Sequence, residues 1–474
     1  MADSADGGLN RFRQKLARRF PANTPSGRIL RATASAGAAV VRTVAGPFQS
    51  IADGMWLRDA WHKGKREIGG QMAAASAPRH VVMLVVSSVR FDPRVRQAAR
   101  VLADAGYRIT IIWPDEEADL PLPQWGAGIT FAPLTVRAGR FANRYPGFLG
   151  RDLLAAALLH SPFAFHAHDL NTMLPALIAG RHTGAHVICD HHEWFSESVR
   201  WSRTSGDYAP LLAPQRAANR WLERLAFRHA SAQITVCQSI ADEMQGRYGA
   251  RAGAVEVIRN IAIINALVPR DYPNLRETLG ITAAHTLVLY QGGIGPTRGL
   301  EPIIEALGAA PLTVLAIRGP AIERYAAGYR AIAKRVGAAD RLHILSPVPS
   351  ADVVAACHGA DVGLYTVRDI CKSFRYALPN KVFEYLHAGL PVLTANYPEV
   401  RRLIVDNGVG LGFEAATTSS IAAAMNQMAI PNRRDAMRAR IAPVLETFDP
   451  NTEWAKLVML YERLAQSPIT SSQS

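Results

Sequence analysis

The chain has 474 residues, of which 49% are hydrophobic and 19% charged, so its composition is that of an ordinary globular protein. At about 100–200 residues per domain, this length predicts two or three domains. The formal net charge is +14 and the isoelectric point is near 9.9. A basic bias of this size is typical of proteins that bind nucleic acid, anionic membranes or phosphorylated substrates.

Half of the excess positive charge lies near the N-terminus, where residues 1–70 contain 12 Lys or Arg and 5 Asp or Glu, a difference of +7. In this region the segment Arg11–Phe20 predicts either a basic amphipathic helix at an anionic membrane surface or a solvated, disordered arm. Because the charge is concentrated here and no nucleic-acid-binding motif is recognisable, we expect no nucleic-acid partner.

The cysteines and the apolar runs bear on the cellular compartment. Cys189, Cys237, Cys357 and Cys371 form no Cys-x-x-Cys pair, so neither a disulfide framework nor a zinc site is predicted. The longest apolar runs are far shorter than the ~20 residues that span a bilayer, and the N-terminus is too polar for a secretory signal. We therefore expect a cytoplasmic protein, with contact at the cytoplasmic face of the membrane as an open alternative.

From residue 78 onwards, short apolar strands alternate with amphipathic helices in two successive series. Alternation of this kind predicts an α/β fold with two Rossmann-like, doubly wound domains that face a cleft. Ligands of open α/β sheets bind beyond the strand C-termini, so this cleft is the expected site. The predicted divisions are an N-terminal extension, two Rossmann-like domains, a final helix and a tail, at residues 1–77, 78–268, 269–446, 447–466 and 467–474.

The segment Leu378–Glu399 predicts a short helix followed by a buried strand, with Pro379 in the first helical turn. Asn380, Lys381 and Glu384 share one side of this helix. An amide, an ammonium and a carboxylate at a helix N-terminus suit a ligand with a phosphate and a sugar ring. The alternative is an ordinary solvated ion pair between Lys381 and Glu384.

A glycine-rich turn, Gly292–Gly299, directly follows the predicted strand Thr286–Gln291. Gly292 and Gly293 let the backbone approach a phosphate closely, and the following helix N-terminus supplies free amides. Arg298 adds a guanidinium whose fork suits phosphate oxygens. The turn matches neither common nucleotide-binding glycine motif, so a plain tight turn is the alternative.

Both segments resemble the nucleotide-sugar-binding region of the family 4 (group 1) glycosyltransferases, which have the two-domain GT-B fold. The resemblance extends over about residues 78–466 and is strongest over residues 284–404. It implies that the second domain binds a nucleotide sugar, that the first binds the acceptor, and that the final helix crosses back to the first domain.

The resemblance implies roles for single residues of the second domain. Arg298 falls on a lysine of the family's diphosphate turn, whereas Gly293 stands where the family usually has an arginine. Lys381 or Arg318 would then supply the missing charge. Glu384 falls on the glutamate that holds the ribose hydroxyls.

Two further positions carry open alternatives. Tyr376 stands where the family has a glutamate that contacts the donor sugar, and a phenol can hydrogen-bond a sugar hydroxyl without adding charge. Arg318 begins a turn that resembles the family's turn beside the nucleotide, although a surface arginine on a loop fits the pattern equally.

In the first domain, His166–Asp169 and Asp190–Glu193 each end a predicted strand and would open onto the cleft. Histidines and carboxylates can bind zinc or iron, as in a metallo-hydrolase. The resemblance instead implies that His192 lies beside the transferred sugar, oriented by Glu193 or Asp169. There a neutral imidazole would accept a sugar hydroxyl's hydrogen bond or handle the acceptor proton. A purely structural role at the strand ends is the third alternative.

Arg94 belongs to an Asp-Pro-Arg-Val segment that matches a variant in the same branch of the family. It follows Asp92, which is predicted to cap a helix. We expect Arg94 to reach a phosphate of the donor or of a lipid-linked acceptor.

Taken together, these residues and the resemblance predict a GT-B glycosyltransferase of surface polysaccharide biosynthesis, which moves a sugar from a nucleotide-diphosphate donor to a hydroxyl of a glycan or lipid-linked saccharide. The resemblance implies that the anomeric configuration is retained. No Asp-x-Asp motif is present, so we expect cations and helix amides to stabilise the leaving group without a metal or other cofactor. The expected partners are the nucleotide sugar, the acceptor and an anionic membrane surface. The alternatives are a nucleotide-sugar epimerase of the same fold, a non-catalytic nucleotide-sugar-binding protein and a metallo-hydrolase.

Overall fold

A computed structural model describes most of the chain after residue 76. The described residues are 77–117, 119–135, 146–249, 255–261 and 272–466. The predicted helix at Arg11–Phe20 and the predicted tail therefore lie outside them. Within these ranges, no helix combines the length and the apolar character needed to cross a bilayer.

The first half of the chain forms a parallel sheet and a separate hairpin. Its strands are β1 (Ala77–Leu84), β2 (Arg108–Asp115), β3 (Ile129–Thr135), β4 (Pro162–His168), β5 (His186–His191), β6 (Val199–Ser202), β7 (Asp207–Pro210), β8 (Ala232–Thr235) and β9 (Val255–Val257). Seven of them form the sheet in the order β3-β2-β1-β4-β5-β8-β9, and every neighbouring pair is parallel. β6 and β7 pair antiparallel with each other, a hairpin that the strand–helix alternation did not predict.

Helices connect these strands, as the alternation predicts. They are α1 (Pro93–Asp104), α2 (Pro146–Ala157), α3 (Leu170–Thr183), α4 (Ala213–His229) and α5 (Gln238–Tyr248). The Asp92 carboxylate accepts the backbone N–H groups of Arg94 and Val95, which confirms that it caps α1. Two apolar clusters cover the two faces of the sheet, so its strands are buried on both sides.

The second half of the chain forms another parallel sheet. Its strands are β10 (Thr286–Gln291), β11 (Thr313–Arg318), β12 (Leu342–Leu345), β13 (Val362–Tyr365), β14 (Val392–Ala395) and β15 (Gly410–Phe413). They lie in the order β12-β11-β10-β13-β14-β15 with parallel neighbours throughout. The α/β fold with two doubly wound domains is therefore confirmed.

The helices of this half begin and end close to the predicted turn residues. They are α6 (Leu275–Thr278), α7 (Leu300–Ala306), α8 (Ile322–Arg335), α9 (Lys372–Arg375), α10 (Asn380–His387), α11 (Pro398–Val400), α12 (Thr418–Met428), α13 (Pro431–Arg438), α14 (Ile441–Thr447) and α15 (Pro450–Gln466). α10 follows Pro379, and Gly389 adopts a φ of 72° just beyond its end.

The last helix, α15, packs against the first domain. Trp454, Leu457, Leu460 and Tyr461 are buried in the apolar cluster that also covers β1 and α1. The indole of Trp454 donates a hydrogen bond to the carbonyl of Ile261 at 3.0 Å. The C-terminal end of the chain thus becomes part of the first domain's core.

Candidate active site

A cavity of about 540 Å³ lies between the two domains, at the C-terminal ends of the strands. His192 and Glu193, which follow β5, line one wall. Thr297 and Arg298, which follow β10, line the other wall together with Lys381 at the start of α10. This is the position at which doubly wound sheets bind ligands.

Two cations, Lys381 and Arg298, face the cavity from the second domain. The Lys381 ammonium lies 3.1 Å from the Tyr290 hydroxyl and 4.3 Å from the centroid of the same ring. Among the described residues, neither cation forms an ion pair with a carboxylate, so the predicted alternative of a solvated Lys381–Glu384 pair does not occur. Two neighbouring positive charges without a negative partner form an anion-binding wall.

The charge state of Lys381 reflects this environment. Burial and the nearby positive charge of Arg298 lower its pKa from 10.5 to about 7, while Glu384 acts in the opposite direction. An anion placed between the two cations would restore the protonated form. Lys381, and not Arg318, therefore supplies the second charge on this wall.

The glycines beneath these cations leave room for them. Gly292 has a φ of 132°, and a Cβ atom there would lie 2.8 Å from the Lys381 ammonium. A Cβ atom on Gly293 would lie 3.9 Å from a guanidinium nitrogen of Arg298. A Cβ atom on Gly319 would collide with the backbone of Gly292. Because glycine has no Cβ atom, the two turns can pack closely at this point. Gly292 thus allows Lys381 of α10 to lie directly against the turn that carries Arg298.

The other residues predicted at the start of α10 lie beside this wall. The amide oxygen of Asn380 is buried without a hydrogen-bond partner. Glu384 is partly buried, and burial raises its pKa despite the opposing charge of Lys381. A buried amide oxygen and a desolvated carboxylate are both costly without a hydrogen-bond partner, and a polar ligand would supply one.

His192 lies on the opposite wall with its side chain 15% exposed. One ring nitrogen lies 3.1 Å from His168, and the other lies 3.5 Å from the Asp169 carboxylate. Burial would lower the pKa of His192, but the carboxylates of Asp169 and Asp190 outweigh it and raise the pKa. The structure thus favours the imidazolium more than the neutral ring expected from the sequence.

Asp169 owes its position to an unusual backbone conformation. Its φ and ψ are 65° and 162°, a region that residues with a side chain rarely adopt. In this conformation its carboxylate accepts the backbone N–H of His192 at 3.0 Å. Of the two residues expected to orient His192, Asp169 contacts it, whereas Glu193 lines the cavity itself.

Arg94 has a partner within the protein that the sequence did not predict. Its guanidinium donates two hydrogen bonds to Asp190, at 2.7 and 3.1 Å, and a third to the Ile258 carbonyl at 3.0 Å. The side chain is only 3% exposed. Arg94 lines the cavity, but its guanidinium is engaged by Asp190 and Ile258, so the expected phosphate contact stays a prediction.

A potential ligand set for a metal lies next to this ion pair. His166, His168 and Asp190 bring one ligand atom each within 4.8 Å of one another. However, both oxygens of Asp190 already accept hydrogen bonds from Arg94. A divalent cation would share that carboxylate with a guanidinium, so like charges would adjoin. The trio fits a charge-balanced network better than a metal centre, and the expectation of no metal stays a prediction.

Arg318 also differs from its prediction. It is 4% exposed, and its guanidinium donates to the side-chain oxygen of Gln291 at 2.6 Å and to the carbonyl of Ala356. It is thus neither a surface arginine nor part of the cavity wall. Its role is to hold together the ends of β10 and β11.

Tyr376 does not reach the donor position expected from the sequence. Its hydroxyl donates to the Glu243 carboxylate on α5 at 2.8 Å, and Lys372 binds the same carboxylate at 2.7 Å. Its ring stacks on Trp194 with centroids 6.4 Å apart. Tyr376 therefore ties the two domains together at the edge of the cleft.

Two tyrosines at the site were not identified from the sequence: one lies behind the cavity wall and one lines it. Tyr290 precedes the glycine-rich turn by two positions and reads as a buried strand residue, yet its hydroxyl contacts Lys381. Tyr208, on the unpredicted hairpin, also lines the cavity. The alternating hairpin pattern Val199–Ser202 and Asp207–Pro210 was the available signal.

Comparisons with known proteins agree with this geometry. Residues 92–260 match a family model described as a glycosyl transferase 4-like domain, and residues 271–442 match one described as glycosyl transferases group 1. A D-inositol 3-phosphate glycosyltransferase of Rhodococcus opacus (strain B4) is 24% identical over 333 residues, which cover 63% of this chain and 72% of that protein.

Solved structures show the same architecture. Sucrose-phosphate synthase from Thermosynechococcus elongatus superimposes with a TM-score of 0.63 at 15% identity, covering 82% of this chain and 100% of that one. Anabaena HepE in complex with UDP-glucose gives 0.60 at 17% identity, covering 81% and 99%. With two family models that together match well over half of its length, this chain belongs to the group 1 glycosyltransferases and has the GT-B fold.

Proposed function

We propose that the cavity binds the diphosphate of a nucleotide sugar between Lys381 and Arg298, and that the sugar is transferred with retention of its anomeric configuration. The observation that carries this proposal is the pair of cavity-facing cations without a carboxylate partner among the described residues. A diphosphate supplies the missing negative charge and gains more of it as the glycosidic bond breaks. Fixed cations therefore stabilise the leaving group in the transition state.

The start of α10 completes the donor site in this proposal. Asn380 has a buried amide oxygen that can accept a hydroxyl hydrogen bond, and the carboxylate of Glu384 would accept two from the ribose. The free backbone amides of the helix N-terminus add to the positive potential. These features support a nucleotide with a sugar ring as the ligand.

His192 and Glu193 would act at the reacting sugar. Nδ1 of His192 lies 3.5 Å from the Asp169 carboxylate, which is longer than an ordinary hydrogen bond. This nitrogen is therefore available to a sugar hydroxyl. Burial raises the pKa of Glu193, which makes its carboxylate a better base for the acceptor proton. Both residues line the cavity opposite Arg298.

The acceptor in this proposal is a hydroxyl of a glycan or lipid-linked saccharide made for the cell surface. UDP-glucose is the first donor to test, because HepE binds it in a structure of the same fold. D-inositol 3-phosphate is a second acceptor to test, because relatives at 24% identity are named for its glycosylation.

Thermal unfolding in the presence of UDP, GDP, ADP and CDP tests the donor site. At least one diphosphate should raise the melting temperature of the wild type by several degrees, because a ligand that binds only the folded state stabilises it. Glu384→Ala should reduce that increase. Equal melting temperatures with and without all four would contradict the proposal, and the anomeric signals of the product would test retention.

We also propose that the basic N-terminal extension brings the enzyme to anionic lipid at the cytoplasmic face of the membrane. Sedimentation with vesicles of anionic and of neutral phospholipid tests this idea. The full chain should sediment only with anionic vesicles and lose that binding at high salt. Equal sedimentation by a chain without residues 1–70 would contradict it.

A further inference from the structure

The hairpin β6–β7 carries a pair of aromatic side chains on one face. The antiparallel register places Trp201 directly opposite Tyr208, so both point to the same side. Their rings lie edge to face, with centroids 5.3 Å apart at an interplanar angle of 80°. The contact fixes the orientation of the indole without burying it.

This aromatic pair extends from the cavity to its rim. Tyr208 lines the cavity together with Ser198 and Val199 from the same hairpin. Trp201, the next residue along the same face as Val199, is 47% exposed. The indole therefore lies against a residue of the cavity lining and is still accessible from solvent.

The hairpin is fixed to the donor wall as well as to its own domain. The Asp207 carboxylate accepts two hydrogen bonds of 2.8 Å from Arg368 of the second domain. The backbone N–H of Arg368 in turn donates to the Thr297 carbonyl at 2.8 Å. Thr297 precedes Arg298, so the aromatic pair is held at a defined distance from the diphosphate turn.

We propose that Trp201 and Tyr208 form a binding subsite for a pyranose ring of the acceptor. The inference rests on the proposed function, which places sugar transfer in this cavity. One face of a pyranose carries mainly C–H groups, and a rigid, half-exposed indole offers an apolar surface of matching size. In the described part of the chain no group hydrogen-bonds the Tyr208 hydroxyl, which leaves it for a sugar hydroxyl.

The structure favours a saccharide over a lipid as the occupant of this face. The indole packs against Tyr208, which lines the cavity together with Ser198, so it adjoins polar hydroxyl groups that suit a saccharide better than an acyl chain. The subsite would select acceptors that present a sugar ring next to the reacting hydroxyl.

Steady-state transfer from UDP-glucose to octyl β-D-glucopyranoside, octyl α-D-mannopyranoside and D-inositol 3-phosphate tests this subsite. In Trp201→Ala, the KM for an octyl glycoside should rise by about tenfold, since truncation of a stacked aromatic side chain removes most of its contact area. The donor KM should change by less than about twofold. Trp201→Phe, which keeps an aromatic face, should restore most of the acceptor affinity.

Trp221→Ala provides the matched control, because Trp221 is 55% exposed on α4 and does not line the cavity. This variant should keep both KM values of the wild type.

An unchanged acceptor KM in Trp201→Ala, an equal rise in the donor KM, or transfer only to the inositol phosphate would each overturn the inference. If the Trp201→Ala variant no longer bound lipid vesicles but kept the acceptor KM of the wild type, the indole would be assigned to a membrane contact instead. UDP-dependent stabilisation of the wild type tests the donor site separately, so failure of the subsite and failure of the proposed function remain distinguishable.

Discussion

The two walls of the cleft balance their charges in opposite ways. On the second domain, Lys381 and Arg298 face the cavity without a carboxylate partner among the described residues. On the first domain, His192 lies within 3.5 Å of both Asp169 and Asp190, and Asp190 is itself paired with Arg94. One wall would therefore need an anionic ligand to balance its charge, whereas the other balances its charges within the protein.

This difference separates two tasks. An unbalanced cationic wall gains free energy when an anion arrives, so it governs donor affinity. A wall whose charges are already fixed in place contributes little to binding but needs no rearrangement during reaction, so it suits the chemical step. Substitutions on the two walls should therefore affect different kinetic constants.

Replacement of His192 is expected to have the largest effect. His192→Ala should lower kcat by at least about 100-fold, the usual contribution of a positioned acid or base, and leave the Kd for UDP nearly unchanged. Single-turnover kinetics and calorimetric titration with UDP measure the two quantities. A near-normal kcat would return His192 to a structural role at the strand end, and His182→Ala on α3 serves as the control.

Replacement of Lys381 tests the other wall. Lys381→Met keeps the length of the side chain but removes its charge, and the Kd for UDP should rise by about 10- to 100-fold, as expected for loss of a charged hydrogen bond. Lys334→Met, on the exposed face of α8, should leave the Kd unchanged. If Lys381→Met affected kcat alone, the proposed division between the walls would be wrong.

The pH dependence of UDP binding offers a finer test. The pKa of Lys381 is about 7 in the free protein, and a bound diphosphate raises it. Below pH 7 the lysine is charged in both the free and the UDP-bound protein. Above pH 7 the free lysine is neutral and must take up a proton when UDP binds. The affinity for UDP should therefore fall by up to about tenfold for each unit of pH increase. Calorimetric titration with UDP at pH 7, 8 and 9, in two buffers of different ionisation enthalpy, measures the number of protons taken up on binding. Lys381→Met should abolish this dependence.

The smallest expected effect concerns the ion pair that joins the walls. Asp207 and Arg368 are 38% and 34% exposed, and ion pairs in such positions contribute little to stability. Asp207→Asn should therefore leave the melting temperature within about 2 °C of the wild type and raise the acceptor KM about twofold. A large drop in melting temperature would mean that the hairpin supports the fold and not acceptor positioning.

The fold and the donor wall were largely predictable from the sequence. Alternating strand and helix patterns are local, so both sheets followed from them, and Lys381 and Arg298 lie beside glycine and proline turns whose direction is fixed by backbone geometry. His192 directly follows a buried strand and had to emerge at the same edge of the sheet.

The residues whose partners were not predicted have long side chains, and those partners are distant in sequence. Arg94 binds Asp190, which is 96 positions away, and Tyr376 binds Glu243, which is 133 positions away. Arg318 turns inward because Gln291 on the neighbouring strand offers an acceptor. Such choices depend on tertiary contacts that periodicity does not encode. The short hairpin was missed because two four-residue strands give little pattern.

The path of α15 has a consequence for engineering. Tyr461 hydrogen-bonds His166 at 2.9 Å, and the ring of Trp454 lies 5.5 Å from the Arg94 guanidinium. A chimaera that joins this acceptor domain to the whole C-terminal half of a relative would bring in a foreign helix beneath the histidine cluster. The exchangeable unit is therefore residues 272–449 alone, inserted so that the native last helix is retained.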